Sequence, residues 1–152
     1  MKKVDPIYID IAAKIGKSNS DIVPLVLAKL VNLGQAKILK ELSASAEAIA
    51  KKLNIEKSFV DKTLQELQEK GLVVRGKSGW HMTRTWGSFH DSVGSANIDK
   101  YPEILNDEFF GLFHIAGKEE REQRVASAVT SKEPLRQGMR VIPRWKAIKD
   151  IP

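Results

Sequence analysis

Val60, Leu64 and Leu67 recur at i, i+4 and i+7, and Lys70-Gly71 then leads straight into the apolar run Leu72-Val73-Val74. This order constrains the chain more than anything else in it. It calls for a helix with one buried stripe, closed by a glycine and continued directly by a short strand. The pattern extends in both directions. Upstream, Asn32-x-x-Gln35 has capping-box form and predicts a helix from about Leu33 to Leu42, with Ala36, Ile38, Leu39 and Leu42 facing inward. Ser45 offers a cap for a second helix carrying Ile49, Ala50 and Leu53, and Asn54-Ile55-Glu56-Lys57 is a turn between the second helix and the third. Downstream, Leu72 to Arg75 reads as a strand, Gly76-Lys77-Ser78-Gly79 as a tight loop and Trp80 to Thr83 as the returning strand.

Taken together, Leu53-Asn54-Ile55 and Val60-x-x-x-Leu64-x-x-Leu67-x-x-x-Gly71-Leu72-Val73 resemble the winged helix-turn-helix superfamily. The expected fold is therefore mainly α (α+β), a winged helix-turn-helix with a small β-hairpin wing and additional N- and C-terminal helices. Three regions are expected. Residues 1–31 form N-terminal helices packed on the core, 32–84 the winged helix-turn-helix, and 85–152 a helical extension ending in an extended segment.

In the first region, Asp5-Pro6 starts a helix with Ile7, Ile11 and Ile15 repeating every four residues up to Gly16. Ser18-Asn19-Ser20-Asp21 is a polar turn, and the helix after it holds Pro24 in its first turn and turns Leu27, Leu30 and Val31 inward. In the third region, Asn97 or Asp99 is expected to cap an aromatic-rich helix that runs through Ile104-Leu105 to Phe113 and is broken by Gly117. Lys118 to Ser127 is charged and helix-compatible, and Met139 to Ile142 alternates like a strand. Val141, Ile142, Trp145, Ile148 and Ile151 are more apolar than a free tail usually is, which points to a connection into a further domain; in this chain they are expected to fold back on the aromatic-rich helix around Phe109 and Phe113 or to pack against a second copy.

Charge and composition narrow the function classes. The formal net charge is +6, spread evenly along the chain, which permits a polyanionic partner without demanding one. With no cysteine, disulfides, thiolate metal sites and Cys nucleophiles drop out. The most apolar run, Ile22 to Leu33, falls short of the ~20 residues a bilayer requires. A cytoplasmic protein without a membrane partner is the expectation.

The chemistry-bearing residues are few. Gly71 to Ser78 spells the G-x-x-x-x-G-K-[ST] phosphate-loop pattern, yet a helix precedes it and a strand follows, the reverse of the required context. His81, His90 and His114 lack metal-ligand spacing, and Ser88, His90 and Asp91 are too close in sequence to be read as a triad. His90-Asp91 is read instead as capping or pinning the helix after the wing. No enzyme is expected, and no catalytic or metal site. The contact candidates are Ser58, Lys62 and Gln65 on the outward face of the third helix, and Arg75, Lys77 and His81 around the wing. Phe59 joins them as an aromatic flanking that face, with packing against the N-terminal helices or the C-terminal segment as the competing reading. Glu66 and Glu69 fall on the same outward face and argue against insertion into a groove of DNA.

A second resemblance covers nearly the whole chain. The N-terminal helices, the winged helix, Phe89-His90-Asp91, the aromatic-rich helix and Met139-Arg140-Val141-Ile142-Pro143 look like the cysteine-free front portion of ferredoxin-type iron-sulfur proteins. That resemblance implies no cofactor in this chain, an iron-sulfur cluster in a downstream domain, and no ligand at any position here. The expected function is a non-catalytic recognition module, the regulatory or docking region of such a protein. Its partner would be a protein or the downstream domain, with weak DNA binding and a homodimer as further possibilities. The alternative is a DNA-binding transcriptional regulator.

Overall fold

Helix caps decide where most elements begin. In the computed structural model, which describes residues 4–77, 79–95 and 100–131, the Asp5 carboxylate accepts from the Ile7 N–H at 3.0 Å and opens α1, Pro6–Lys14. The Ser20 hydroxyl accepts from the Ile22 and Val23 N–H groups ahead of α2, Val23–Leu30. The Asn32/Gln35 capping box is fully formed on α3, Leu33–Glu41, at 2.9 and 3.3 Å, and Ser45 caps α4, Ala46–Leu53. Each cap satisfies N–H groups that a helix start leaves without partners.

The chain leaves α4 through Asn54, which adopts the left-handed conformation (φ 53°, ψ 49°) while the Ile55 N–H returns to the Ala50 carbonyl at 3.0 Å. Asparagine is among the few side chains that tolerate this. Helix α5 then spans Lys57–Glu69. It ends in a Schellman motif: the Leu72 N–H donates to the Leu67 carbonyl and the Gly71 N–H to the Gln68 carbonyl, both at 2.9 Å, with Gly71 at φ +78°. The wing follows as β1, Val73–Gly76, and β2, Gly79–Met82, in antiparallel register with Val73 opposite Met82 and Arg75 opposite Trp80. Gly76 pairs with Gly79, so the turn is two residues long rather than the expected four-residue loop. The two glycines extend the ladder to its tip.

Side chains from α1 to α5 and from β1 meet in one hydrophobic cluster, with Ile11, Ile15, Leu27, Leu30, Ile38, Leu39, Ile49, Val60, Leu64, Leu67 and Leu72 fully buried. The N-terminal helices belong to that cluster: the Tyr8 hydroxyl donates to the Val31 carbonyl at 2.9 Å, and the Lys14 ammonium donates to the carbonyls of Lys40 and Leu42.

Beyond the wing, Thr85 caps α6, Trp86–Gly94, and its hydroxyl accepts from the Ser88 N–H. His90 and Asp91 therefore lie inside this helix and do not cap it; a threonine one residue before the first helical position supplies the cap, and His90 instead stacks on Phe113. Helix α7 runs Asp107–Ser131. Asn106 caps it by accepting from the Phe109 N–H at 3.0 Å, so Ile104 and Leu105 precede the helix. Gly117 does not break it. A single interior glycine costs only about 1 kcal/mol relative to alanine, too little to end a helix whose first half is anchored by burial. Phe109, Phe113 and Ala116 are buried with Trp86, Phe89 and Val93 of α6. Asn97, Asp99 and Met139 to Pro152 lie outside the described residues. Residues 1–119 make one compact unit; of the second, 120–152, the described residues 120–131 are helical, with Val125 and Val129 exposed. No helix among the described residues is long and apolar enough to cross a membrane.

Candidate nucleic-acid interface

The α4–turn–α5 unit presents one stripe of α5 to solvent, opposite buried Val60, Leu64 and Leu67. Ser58, Lys62 and Gln65 lie along it at i, i+4 and i+7, all exposed. Lys62 makes no ion pair among the described residues. Nearer the helix start, Lys57 bridges Asp61 at 2.9 Å and Glu47 at 3.3 Å, which raises its pKa and ties down both carboxylates.

The two glutamates expected to repel a polyanion are otherwise engaged. Glu66 is half-buried and accepts from the Gln35 side-chain amide at 3.2 Å. Glu69 is paired with Lys100 at 2.6 Å and accepts from the Tyr101 hydroxyl at 2.7 Å; these partners hold its carboxyl below the usual range. Its side chain keeps 43% exposure, but its charge is matched by Lys100. The outward face of α5 is thus less negative than its sequence suggests. The partners of Glu66 and Glu69 lie 31 residues away along the chain, in α3 and in the 100–106 turn, where periodicity within α5 gives no sign of them.

Directly after Glu69, Lys70 is buried. Its ammonium donates to the Leu30 carbonyl at 2.9 Å, lies 5.4 Å from the Tyr101 ring centre, and has its pKa lowered by desolvation.

The wing candidates separate. Alternation along the hairpin puts Arg75 and Trp80 on one face, with the guanidinium 5.7 Å from the indole centre, and His81 on the other, beside Gly76. Lys77 is exposed at the tip and makes no ion pair among the described residues. Arg75 and Lys77 thus accompany the α5 stripe as exposed cations, whereas half-buried His81 faces elsewhere. Phe59 is 54% exposed and lines the mouth of a groove of about 580 Å³ with Ile7, Leu53 and Ile55, rimmed by Lys37 and Lys40. It does not pack into the core. Lys51, beside Phe59, is exposed and without an ion pair among the described residues. Sequence reasoning missed it because a lysine on a solvated helix is unremarked until its neighbours are known.

The Gly71 to Ser78 stretch, with its phosphate-loop spelling, runs from the end of α5 through β1 to the wing tip. No helix N-terminus stands behind it, and the chemistry that spelling stands for requires one. Among the described residues no cluster of His, Asp or Glu is assembled for a metal.

Three helices, a turn of helix-turn-helix form and a two-stranded wing define a winged helix-turn-helix. Residues 25–85, under half of the chain, match the model of a family described as "Sugar-specific transcriptional regulator TrmB". That match covers α2 to the root of α6 and supports the superfamily; nothing supports the resemblance to iron-sulfur proteins. No curated protein and no solved structure matches the chain.

Proposed function

We propose that the chain is the DNA-binding module of a transcriptional regulator, with α5 entering the major groove and the wing on the adjacent backbone. The observation that carries this is the disposition of charge on α5: Glu66 and Glu69 are held by Gln35, Lys100 and Tyr101, which leaves Ser58, Lys62 and Gln65 as the exposed stripe. The similarity of residues 25–85 to a family of transcriptional regulators supports the same reading. In this arrangement Gln65 and Ser58 meet base edges, Lys62 meets a base or a phosphate, and Arg75 and Lys77 neutralise phosphates or enter the minor groove.

Fluorescence anisotropy on labelled duplexes, first selected from a random pool, tests it. Lys62→Ala and Lys77→Ala should each lower the salt slope by roughly 1. Gln65→Ala should relax the sequence preference, at about 1–3 kcal/mol for the base it reads. Absence of binding at low salt, or binding that all three substitutions leave unchanged, would overturn the proposal.

Phe59 favours a second reading, the protein-docking role. An aromatic this exposed beside an apolar groove suits a protein contact better than a phosphate contact. An iron-sulfur domain as the docked partner rests on the sequence resemblance alone. Phe59→Ala that abolishes a protein complex and spares DNA binding would separate the two.

A further inference from the structure

A cavity of about 390 Å³ opens on the side of the fold that the DNA reading does not use. It lies where the end of α1, the α3–α4 turn and the root of the wing converge. Its charged lining residues are Lys14 and Arg84, joined by His81, and no carboxylate lines it. On the same helices, Asp10 pairs with Lys40 at 2.7 Å and Glu41 with Lys52 at 2.6 Å. Lys14 donates to the carbonyls of Lys40 and Leu42, which fixes its ammonium at the cavity wall without cancelling its charge. Arg84 is exposed and makes no ion pair among the described residues.

Two further features mark the same wall. Thr83 is only 7% exposed, and its hydroxyl is the one buried side-chain polar atom among the described residues without a hydrogen-bond partner. Most buried hydroxyls find a partner, so Thr83 stands out among the residues that line this cavity. Ser43, which also lines the cavity, is held at φ 146°, a conformation that L residues rarely adopt and that tends to be kept at binding sites.

We infer that this cavity is a binding site for a small phosphomonoester. The phosphate would take the fork of Arg84 and the ammonium of Lys14, and the organic body would lie against Leu42 and Met82. The volume sits at the small end of the range for metabolite sites, about 300–1,000 Å³. A phosphate could also come from a DNA backbone, so the test must separate the two sources. The inference does not depend on the DNA reading, since each of its residues lies off the α5 stripe.

Calorimetry on the full chain with glycerol 3-phosphate, inorganic phosphate and glycerol provides the test. Saturable binding is expected for the phosphomonoester, weaker binding for inorganic phosphate and none for glycerol. Arg84→Ala should weaken the phosphomonoester about tenfold or more, the size expected for loss of a charge-assisted pair. Thr83→Val should keep the fold by circular dichroism, raise the melting temperature of the unliganded chain and weaken the ligand. Amide NMR shifts confined to Ser43, Thr83 and Arg84 would place the ligand here. The inference fails if glycerol 3-phosphate does not bind, if Arg84→Ala binds it equally well, or if a short duplex displaces it competitively, which would make the cavity a backbone contact.

Discussion

Gly71 shows how much one missing methyl group can decide. Its φ of +78° suits glycine, and a Cβ built there would lie 2.3 Å from the Ser92 carbonyl oxygen in α6. Gly16 has nearly the same conformation, φ +75°, with nothing within 4 Å of the added atom. The pair separates conformation from collision. Gly16→Ala should cost roughly 1–2 kcal/mol, the left-handed penalty of an L residue. Gly71→Ala should cost clearly more, because α6 must also move, and urea melts of both variants would show the difference. Leu64→Ala should cost about 2–5 kcal/mol as a buried truncation. Sequence order already marked Gly71 as the end of α5, since a stripe that stops at Lys-Gly before a strand has few other readings. That the same glycine lets α6 approach could not be read, because contact with Ser92 depends on where the chain returns.

Among the elements, α5 is where reading along the chain fell short. The caps at Asp5, Asn32 and Ser45 were legible because each involves residues two or three apart. The state of Glu66 and Glu69 was not, since their partners come from elsewhere in the fold, and a helical wheel counts charge without knowing which carboxylate is hydrogen-bonded and which is ion-paired. Gly117 misled for a related reason: propensity is a local tendency, and burial of Phe109 and Phe113 carries α7 through it. The Glu69–Lys100–Tyr101 cluster makes two measurable claims. The folded chain lowers the Glu69 pKa from the ordinary 4.5, so the stabilisation it gives is present above that value and is lost as pH falls through the lowered one. Glu69→Gln should therefore be less stable than the parent at neutral pH and converge with it in acid. Tyr101 is pushed up to about 12 from 10.0, first by burial and then by Glu69, so its contribution is complete below pH 10.0 and disappears as pH approaches 12. On the proposed DNA reading, Lys100→Ala should weaken duplex binding without touching the duplex, and Glu69→Gln in the same chain should restore it.

At the scale of the molecule, the expected boundary between residues 31 and 32 meets a shared core. Ile11, Ile15, Leu27 and Leu30 are buried in one cluster with Leu39, Leu64 and Leu67, and Lys70 reaches across to the Leu30 carbonyl. A polypeptide of residues 32–85 should accordingly lose its cooperative thermal transition and near-ultraviolet circular dichroism while retaining helical signal, as expected when specific packing goes but local structure stays. A sharp melt for that piece would show that the N-terminal helices are detachable. The aromatic cluster has a consequence of another kind. The buried indole of Trp86 lies 6.1 Å from the imidazole of His90, which stacks on Phe113 of α7 at 4.6 Å with an interplanar angle of 3°. Undocking α7 would uncover the indole of Trp86 and shift its emission to the red, and in a chain with Trp80 and Trp145 replaced by Phe that shift reports Trp86 alone. That chain carries its own optical gauge of the α6–α7 junction, readable without a label while ligands or duplexes are added.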